Sequence, residues 1–309
     1  MSPEKKPGEN QFITPSYNPF NRLAWNGKAG HYEVWYLTFN HADRGYWIRT
    51  TLRVPLDGPA EGALWFLEFV PGQTPRAWKE PIPPPEGPYW SGKAGLASWD
   101  LTVRSDGTLF RPIPALLRGF VGTKIVTPHL DARVSGTLRI AGEEIRLEDA
   151  RGCQSHLWGK AYGVGWAWVH ANFDGGVLEG IAGKKPALIA LHARLGNRRW
   201  NLHTLLASVR NRSLRKPSPE GWRFCGTSHN RELVGSVTCD PKHLAGVTYV
   251  GPAGERIYCY NTEIAQIMLE LRARAFFGTP WTVVANVSGP AHYEIAGREP
   301  LPGLSLLVT

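Results

Sequence analysis

The chain has 309 residues, 42% of them hydrophobic, and a formal charge of +9. That length holds one large domain or two ordinary ones, and that apolar share excludes wholesale disorder. The positive residues are scattered, so no nucleic-acid face is indicated; the densest group, Arg210, Arg212, Arg215 and Lys216, reads as a solvated loop.

Met1 to Asn10 is polar, with no apolar run after it, and does not read as a signal peptide. Residues 1–11 read as a flexible leader, with order beginning near Phe12. His31–Phe39 and Tyr46–Val54 are rich in aromatic and β-branched residues and form a hairpin candidate across Asn40–Gly45. Ala63–Val70 is a third strand. Residues 71–92 carry Pro83, Pro84, Pro85 and other prolines, which predicts a long loop with no strand through it, running over a barrel mouth as a lid or along the domain interface. Strands follow around Leu96–Val103 and from Lys124 to Glu148.

The second half repeats this grammar. Trp166–Phe173, Val177–Ala182, Ala187–Leu195 and Arg199–Leu206 read as strands, joined at Gly175-Gly176 and Gly196-Asn197. Trp222–Cys225, Val234–Cys239, Ala245–Val250 and Glu255–Asn261 follow. Ile264, Ile267, Met268 and Leu271 fall at helical spacing, which predicts a helix over Thr262–Phe277, with a strand open for part of it. Trp281–Val287 and Ala291–Ile295 close the chain. Strands at such short intervals, with almost no helix, mark an all-β protein of sandwich or barrel type. Two closed sheets are expected, with the boundary between about Ala150 and Gly165.

One segment concentrates chemistry. In the strand Trp166–Phe173, side chains alternate between faces. Ala167, Val169, Ala171 and Phe173 make one small apolar face. Trp166, Trp168, His170 and Asn172 make the other, and two adjacent indoles on an exposed face would be unusual. That second face is expected to line the principal ligand cavity, aromatic walls suiting an apolar or conjugated ligand and its positive charge. His170 has the chemistry for proton transfer. The other reading is that His170 and Asn172 are satisfied core polar groups. Gln154, His156 and Trp158 alternate on the incoming strand, and Glu33 shares a face with His31 and Trp35. Facing inward, Glu33 needs a partner or titrates high; facing outward, it is solvated.

Four cysteines without a Cys-x-x-Cys pair point to no structural metal, and to reduced thiols in a cytoplasmic protein. His170, His192 and His203 would be the first ligands to examine if a metal were found. No Gly-x-Gly-x-x-Gly opens a helix and no P-loop is present, so no nucleotide cofactor is expected. No stretch approaches the ~20 apolar residues of a membrane helix.

Glu33-Val-Trp-Tyr36, Gln154-Ser-His-Leu-Trp-Gly159 and Trp166-Ala-Trp-Val-His-Ala-Asn172 resemble the motifs of the lipocalin-like superfamily that includes tocopherol cyclase, carotenoid 1,2-hydratase (hydroxyneurosporene synthase) and fungal Diels–Alderases. The resemblance implies two lipocalin-like (calycin-type) β-barrel domains in tandem, over 12–155 and 156–309. It also implies an isoprenoid, polyene or polyketide-like ligand and cofactor-free, redox-neutral cyclisation, hydration or isomerisation. A carrier that leaves its ligand unaltered is the alternative. Carried over by position, His170, Glu33 and His156 are the catalytic candidates. Trp35, Gln154, Trp158, Trp166, Trp168 and Asn172 are the ligand-binding ones.

Overall fold

A computed structural model describes residues 18–309, except 106, 108, 115–118, 120–121 and 185–186. The expected leader and the start at Phe12 lie outside the described residues. The chain is all-β. β1 (His31–His41), β2 (Arg44–Val54), β3 (Glu61–Phe69), β4 (Arg76–Ile82), β5 (Ser91–Ala94), β6 (Ala97–Arg104), β7 (Thr123–Ile140) and β8 (Glu143–Gly159) form one antiparallel sheet in the order β4-β3-β2-β1-β8-β7-β6-β5. The two edges approach each other. A Cβ on Gly92 of β5 would touch Leu64 of β3, and one on Gly95 would touch Trp78 of β4. The sheet is therefore a nearly closed barrel.

The second sheet repeats the plan. β9 (Gly165–Phe173), β10 (Gly176–Gly183), β11 (Ile189–Leu195) and β12 (Arg198–Leu202) run outward as a meander. A short helix α1 (Leu205–Arg210) follows. β13 (Arg212–Ser218), β14 (Gly221–Thr227), β15 (Arg231–Thr238), β16 (Ala245–Val250), β17 (Arg256–Ala273), β18 (Thr282–Gly297) and β19 (Leu306–Val308) complete it. β18 pairs with β9 as β8 pairs with β1. The chain passes between the sheets over residues 160–164.

Turn chemistry sets the hairpins. Ala141 and Gly142, both at positive φ (50° and 91°), make the two-residue turn between β7 and β8. Each sheet has its own apolar core. Leu37, Phe39, Ile48, Phe66 and Trp99 fill the first; Val169, Leu191, Trp200, Phe224 and Leu269 fill the second.

Three expectations are corrected. Thr262–Phe277 is no helix: β17 runs through it, with Ala265, Ile267, Leu269 and Leu271 buried while Gln266 and Met268 face out. That period of two outweighs the coincidental helical spacing. Residues 71–92 are no uninterrupted loop, because β4 crosses them. β4 is an edge strand, where Pro81 loses no ladder bond it needs. Of its two expected places, over a cavity mouth or along the interface between the halves, the segment takes the second. Residues 71–92 line neither of the two cavities described below, and instead run beside the second sheet, where Lys79 Nζ donates to the Thr309 carbonyl (3.1 Å). The basic group at Arg212–Lys216 lies on β13 rather than in a loop, though all of Arg210, Arg212, Arg215 and Lys216 are exposed.

Candidate functional site

Alternation on β1 and β9 builds the site. Leu37 and Phe39 point into the first barrel, so Tyr32, Val34, Tyr36 and Thr38 face the second sheet. On β9, Val169 and Ala171 point into the second core, so Trp166, Trp168, His170 and Asn172 face the first sheet. One cavity, about 400 Å³ and walled largely by aromatic rings, therefore lies between the sheets rather than inside a barrel. Its walls are Tyr32, Val34 and Tyr36 from β1, Trp47 and Arg49 from β2, and Trp166 and Trp168 from β9. Tyr162, Ile181, Tyr249 and Glu294 also line it. The rings interlock: Tyr32 stacks on Tyr162 at 4.0 Å, Tyr162 on Tyr249 at 5.7 Å, and Tyr36 meets Trp168 edge-on at 5.8 Å. Burial raises the Tyr32, Tyr36, Tyr162 and Tyr249 phenols above their usual range, so all four are neutral.

Glu294 is the acid of this wall. Burial raises its pKa, while the Trp166 indole N–H, which donates to Oε1, works in the opposite direction. The result is a carboxyl that holds its proton longer than an exposed glutamate, beside two indoles and four phenol rings.

The other expected residues fall in two separate places. His170 and Asn172 do not line the cavity. They belong to a polar seam that joins the sheets. The Trp168 Nε1–H donates to Glu179 Oε1 (2.8 Å), His170 Nδ1 lies 2.7 Å from Glu179 Oε2, and its Nε2 lies 3.1 Å from Asn172 Oδ1. Asn172 donates to Asp131 of β7 (3.0 Å), which also receives Arg151 and Arg194. Beside this chain His292 sits between Thr38 and Asn40. Burial holds it well below the usual histidine range, so its Nε2–H donates to Asn40 Oδ1 (2.7 Å) and Nδ1 accepts from the Thr38 hydroxyl (2.6 Å). Glu263 lies 3.2 Å from the same ring, but burial drives it to the neutral form too, so the contact is no ion pair.

Glu33, Trp35, Gln154 and His156 form the third group, inside the first barrel. Glu33 is wholly buried and accepts four hydrogen bonds: Oε1 from Ala24 N and His156, Oε2 from Trp25 N and His31. Burial opposes its charge, yet the bonds from His156 and His31 prevail and hold its pKa below the usual range. His156 Nδ1 donates to the Phe20 carbonyl, Trp35 Nε1 to the Asn21 carbonyl, and Gln154 exchanges two bonds with the Asn21 amide. Together they fasten residues 20–25 into the barrel. His156 and Trp158 also line a second cavity of about 490 Å³ with Phe20, Arg22, Arg111 and Lys124.

Among the described residues, one group has spacing suited to a metal: Cys153, His170 and Glu179, with ligand atoms within 4.8 Å of one another. All three are fully buried, and Glu179 and His170 already have hydrogen-bond partners. His192 and His203 form a separate pair around Phe110, their rings 5.7 Å apart.

The comparisons add distant likenesses. No family model matches the chain. Two uncharacterised proteins from two strains of Mycobacterium tuberculosis are each 28% identical over 303 residues, spanning 89% of this chain and 88% of theirs. The crystal structure of kievitone hydratase from Nectria haematococca superposes with a TM-score of 0.48 at 13% identity, over 92% of this chain and 95% of that one.

Arg49, Glu294, Tyr162 and Tyr249 were not among the expected site residues. A signal was present for two of them. Arg49 interrupts the apolar run Tyr46-Trp47-Ile48, and Glu294 follows His292 at strand period in Ala291–Ile295.

Proposed function

We propose that the chain binds an apolar small molecule, isoprenoid, polyene or polyketide-like, between its sheets and catalyses on it a cofactor-free, redox-neutral cyclisation, hydration or isomerisation. The observation that carries this reading is Glu294, a carboxyl with a raised pKa on the wall of an aromatic cavity. Its O–H protonates an electron-rich double bond: the O–H bond breaks and the alkene π pair forms the new C–H bond. The carbocation is spread over the faces of Trp166, Trp168 and the tyrosines, each contact giving ~0.5–2 kcal/mol. Water captures it and gives up a proton, or a neighbouring C–H loses its proton, or an internal double bond attacks it and the ring cation so formed then loses a proton; in each case the proton returns to Glu294. His170 acts through Glu179 in this reading, which holds the Trp168 indole on the wall.

The test compares ligands extracted from wild-type protein and from Glu294→Gln after purification from the same cells. Mass spectrometry is expected to find substrate in the variant and its isomer or hydrate in the wild type. The same unaltered compound in both would make the chain a carrier. With the substrate in hand, Glu294→Gln should lower turnover by ~10²–10⁴-fold.

A further inference from the structure

Arg49 is a buried cation that touches no carboxylate among the described residues. It sits midway along β2, 5% exposed, on the cavity wall beside Trp47. Among the described residues it forms no ion pair, and its one hydrogen bond is from Nη2 to the neutral Tyr162 hydroxyl (3.0 Å). Its Nε is buried and has no partner. Its guanidinium carbon lies 3.7 Å from the Tyr249 ring centroid, 5.7 Å from Trp47 and 5.9 Å from Trp65.

This arrangement is costly unless something completes it. A guanidinium has five N–H donors and cannot shed its proton as a buried lysine does. Buried charges in proteins are ordinarily paired. Glu294, the carboxyl sharing this wall, feels the Arg49 charge without touching it; burial still inclines it to the neutral form, and its Oε1 is taken by Trp166. A ligand carbonyl would accept from the free donors yet leave the charge unneutralised. A carboxylate, phenolate or enolate does both, and a planar oxyanion fits the guanidinium fork.

We propose that the cavity takes an amphipathic anion: an apolar body against the Tyr36, Trp166 and Trp168 walls, and an acidic oxygen group on Arg49. This rests on the cavity being the ligand site, and it narrows the ligand class. It also separates two roles on one wall, Arg49 holding the ligand's fixed charge and Glu294 supplying the mobile proton.

Two fluorescent probes that share one skeleton test it: anilinonaphthalene sulfonate, an anion, and phenylnaphthylamine, which is neutral. Wild-type protein is expected to bind the sulfonate about tenfold or more tightly. The preference should survive high salt, because a buried pair is weakly screened. Arg49→Met should remove the preference and leave the neutral probe's affinity within about threefold, and Arg49→Lys should keep part of it. Should Arg49→Met not fold, displacement of phenylnaphthylamine from wild type by decanoate against decanol decides the matter, decanoate being the stronger competitor. Equal affinity for both probes, or an anion preference untouched in Arg49→Met, overturns the proposal and leaves the cavity standing as the ligand site. If Ile181→Trp, which narrows the cavity, leaves both probes bound as before, the cavity reading fails and the proposal with it.

Discussion

Replacing Glu33 with glutamine asks whether this residue does chemistry or holds the fold. Each carboxylate oxygen accepts from one backbone N–H and one imidazole: Ala24 and His156 on Oε1, Trp25 and His31 on Oε2. An amide keeps one acceptor oxygen and turns an NH₂ toward the other pair. Turned toward Trp25 and His31, it meets an imidazole that can answer by changing tautomer, whereas His156 is held by its bond to the Phe20 carbonyl. The backbone N–H of the pair cannot answer, and it is left buried and unsatisfied at ~1–3 kcal/mol. The remaining bonds also lose their charge-assisted character, each weakening by about 1 kcal/mol from the charged to the neutral range. The expected loss is about 3 kcal/mol of unfolding free energy, read from the midpoint shift in urea at an unchanged slope.

The pH dependence has a definite sign. The folded carboxyl has the lower pKa, so its stabilisation is fully present above the unfolded value, ~4.3, and is lost as pH falls through the folded one. Wild type and Glu33→Gln should therefore converge in stability at acid pH. The cavity lies on the other side of β1, so probe affinity of the folded variant should stay unchanged. A variant that is as stable as wild type at neutral pH but has lost probe binding or turnover would refute the anchoring role and return Glu33 to the active site.

Four further outcomes are expected. Glu294 acts while protonated, so turnover should hold at low pH and fall as pH rises through its raised pKa; a profile that rises instead would make it a base. Trp168→Ala should cost ~3–5 kcal/mol, because it removes a buried indole and a bond to Glu179; Ile181→Trp should cost under about 2 kcal/mol and abolish ligand binding. Gly45→Ala would place a Cβ 2.4 Å from Glu263 Cβ and 2.7 Å from its carbonyl oxygen, where the sheets touch; thermal melting should show a loss of about 2 kcal/mol, and none would mean that the sheets stand further apart. Asp131→Asn leaves Arg151 and Arg194 without their shared carboxylate and should cost about 3 kcal/mol in denaturant titration.

Strand content and the repeat of one plan in both halves were legible because alternation and turn residues are local properties. Two of the places where local reading failed have clear physical causes. In β17, an apolar pattern of period two contains the helical spacing Ile264, Ile267, Met268, Leu271 by coincidence, and only the pairing with β15 and β18 decides between them. In β4, prolines forbid a central strand but not an edge one, and edge position is a property of the assembled sheet.

The site shows a deeper limit. Alternation correctly separates the two faces of β9, but it cannot say what a buried face meets. In a single barrel one face is core and the other solvent, so a large aromatic face with polar tips reads as the lining of the interior. Here both faces are buried, and the small face of Ala167, Val169 and Ala171 is the one that packs in the second sheet's own core. The aromatic, polar face turns to the neighbouring sheet, which explains its composition. Its polar groups have partners far away in sequence, Asn172 with Asp131 as Thr38 with His292, and a sequence window shows only one half of each pair. Arg49 and Glu294 escaped notice for the same reason. Each reads as one polar residue in an apolar strand, and Arg49 acquires meaning only beside Tyr162, 113 positions on, and Glu294 beside Trp166, 128 positions back. The chemistry of this chain is thus a property of the seam between its two sheets, where residues excluded from both cores are the ones that meet.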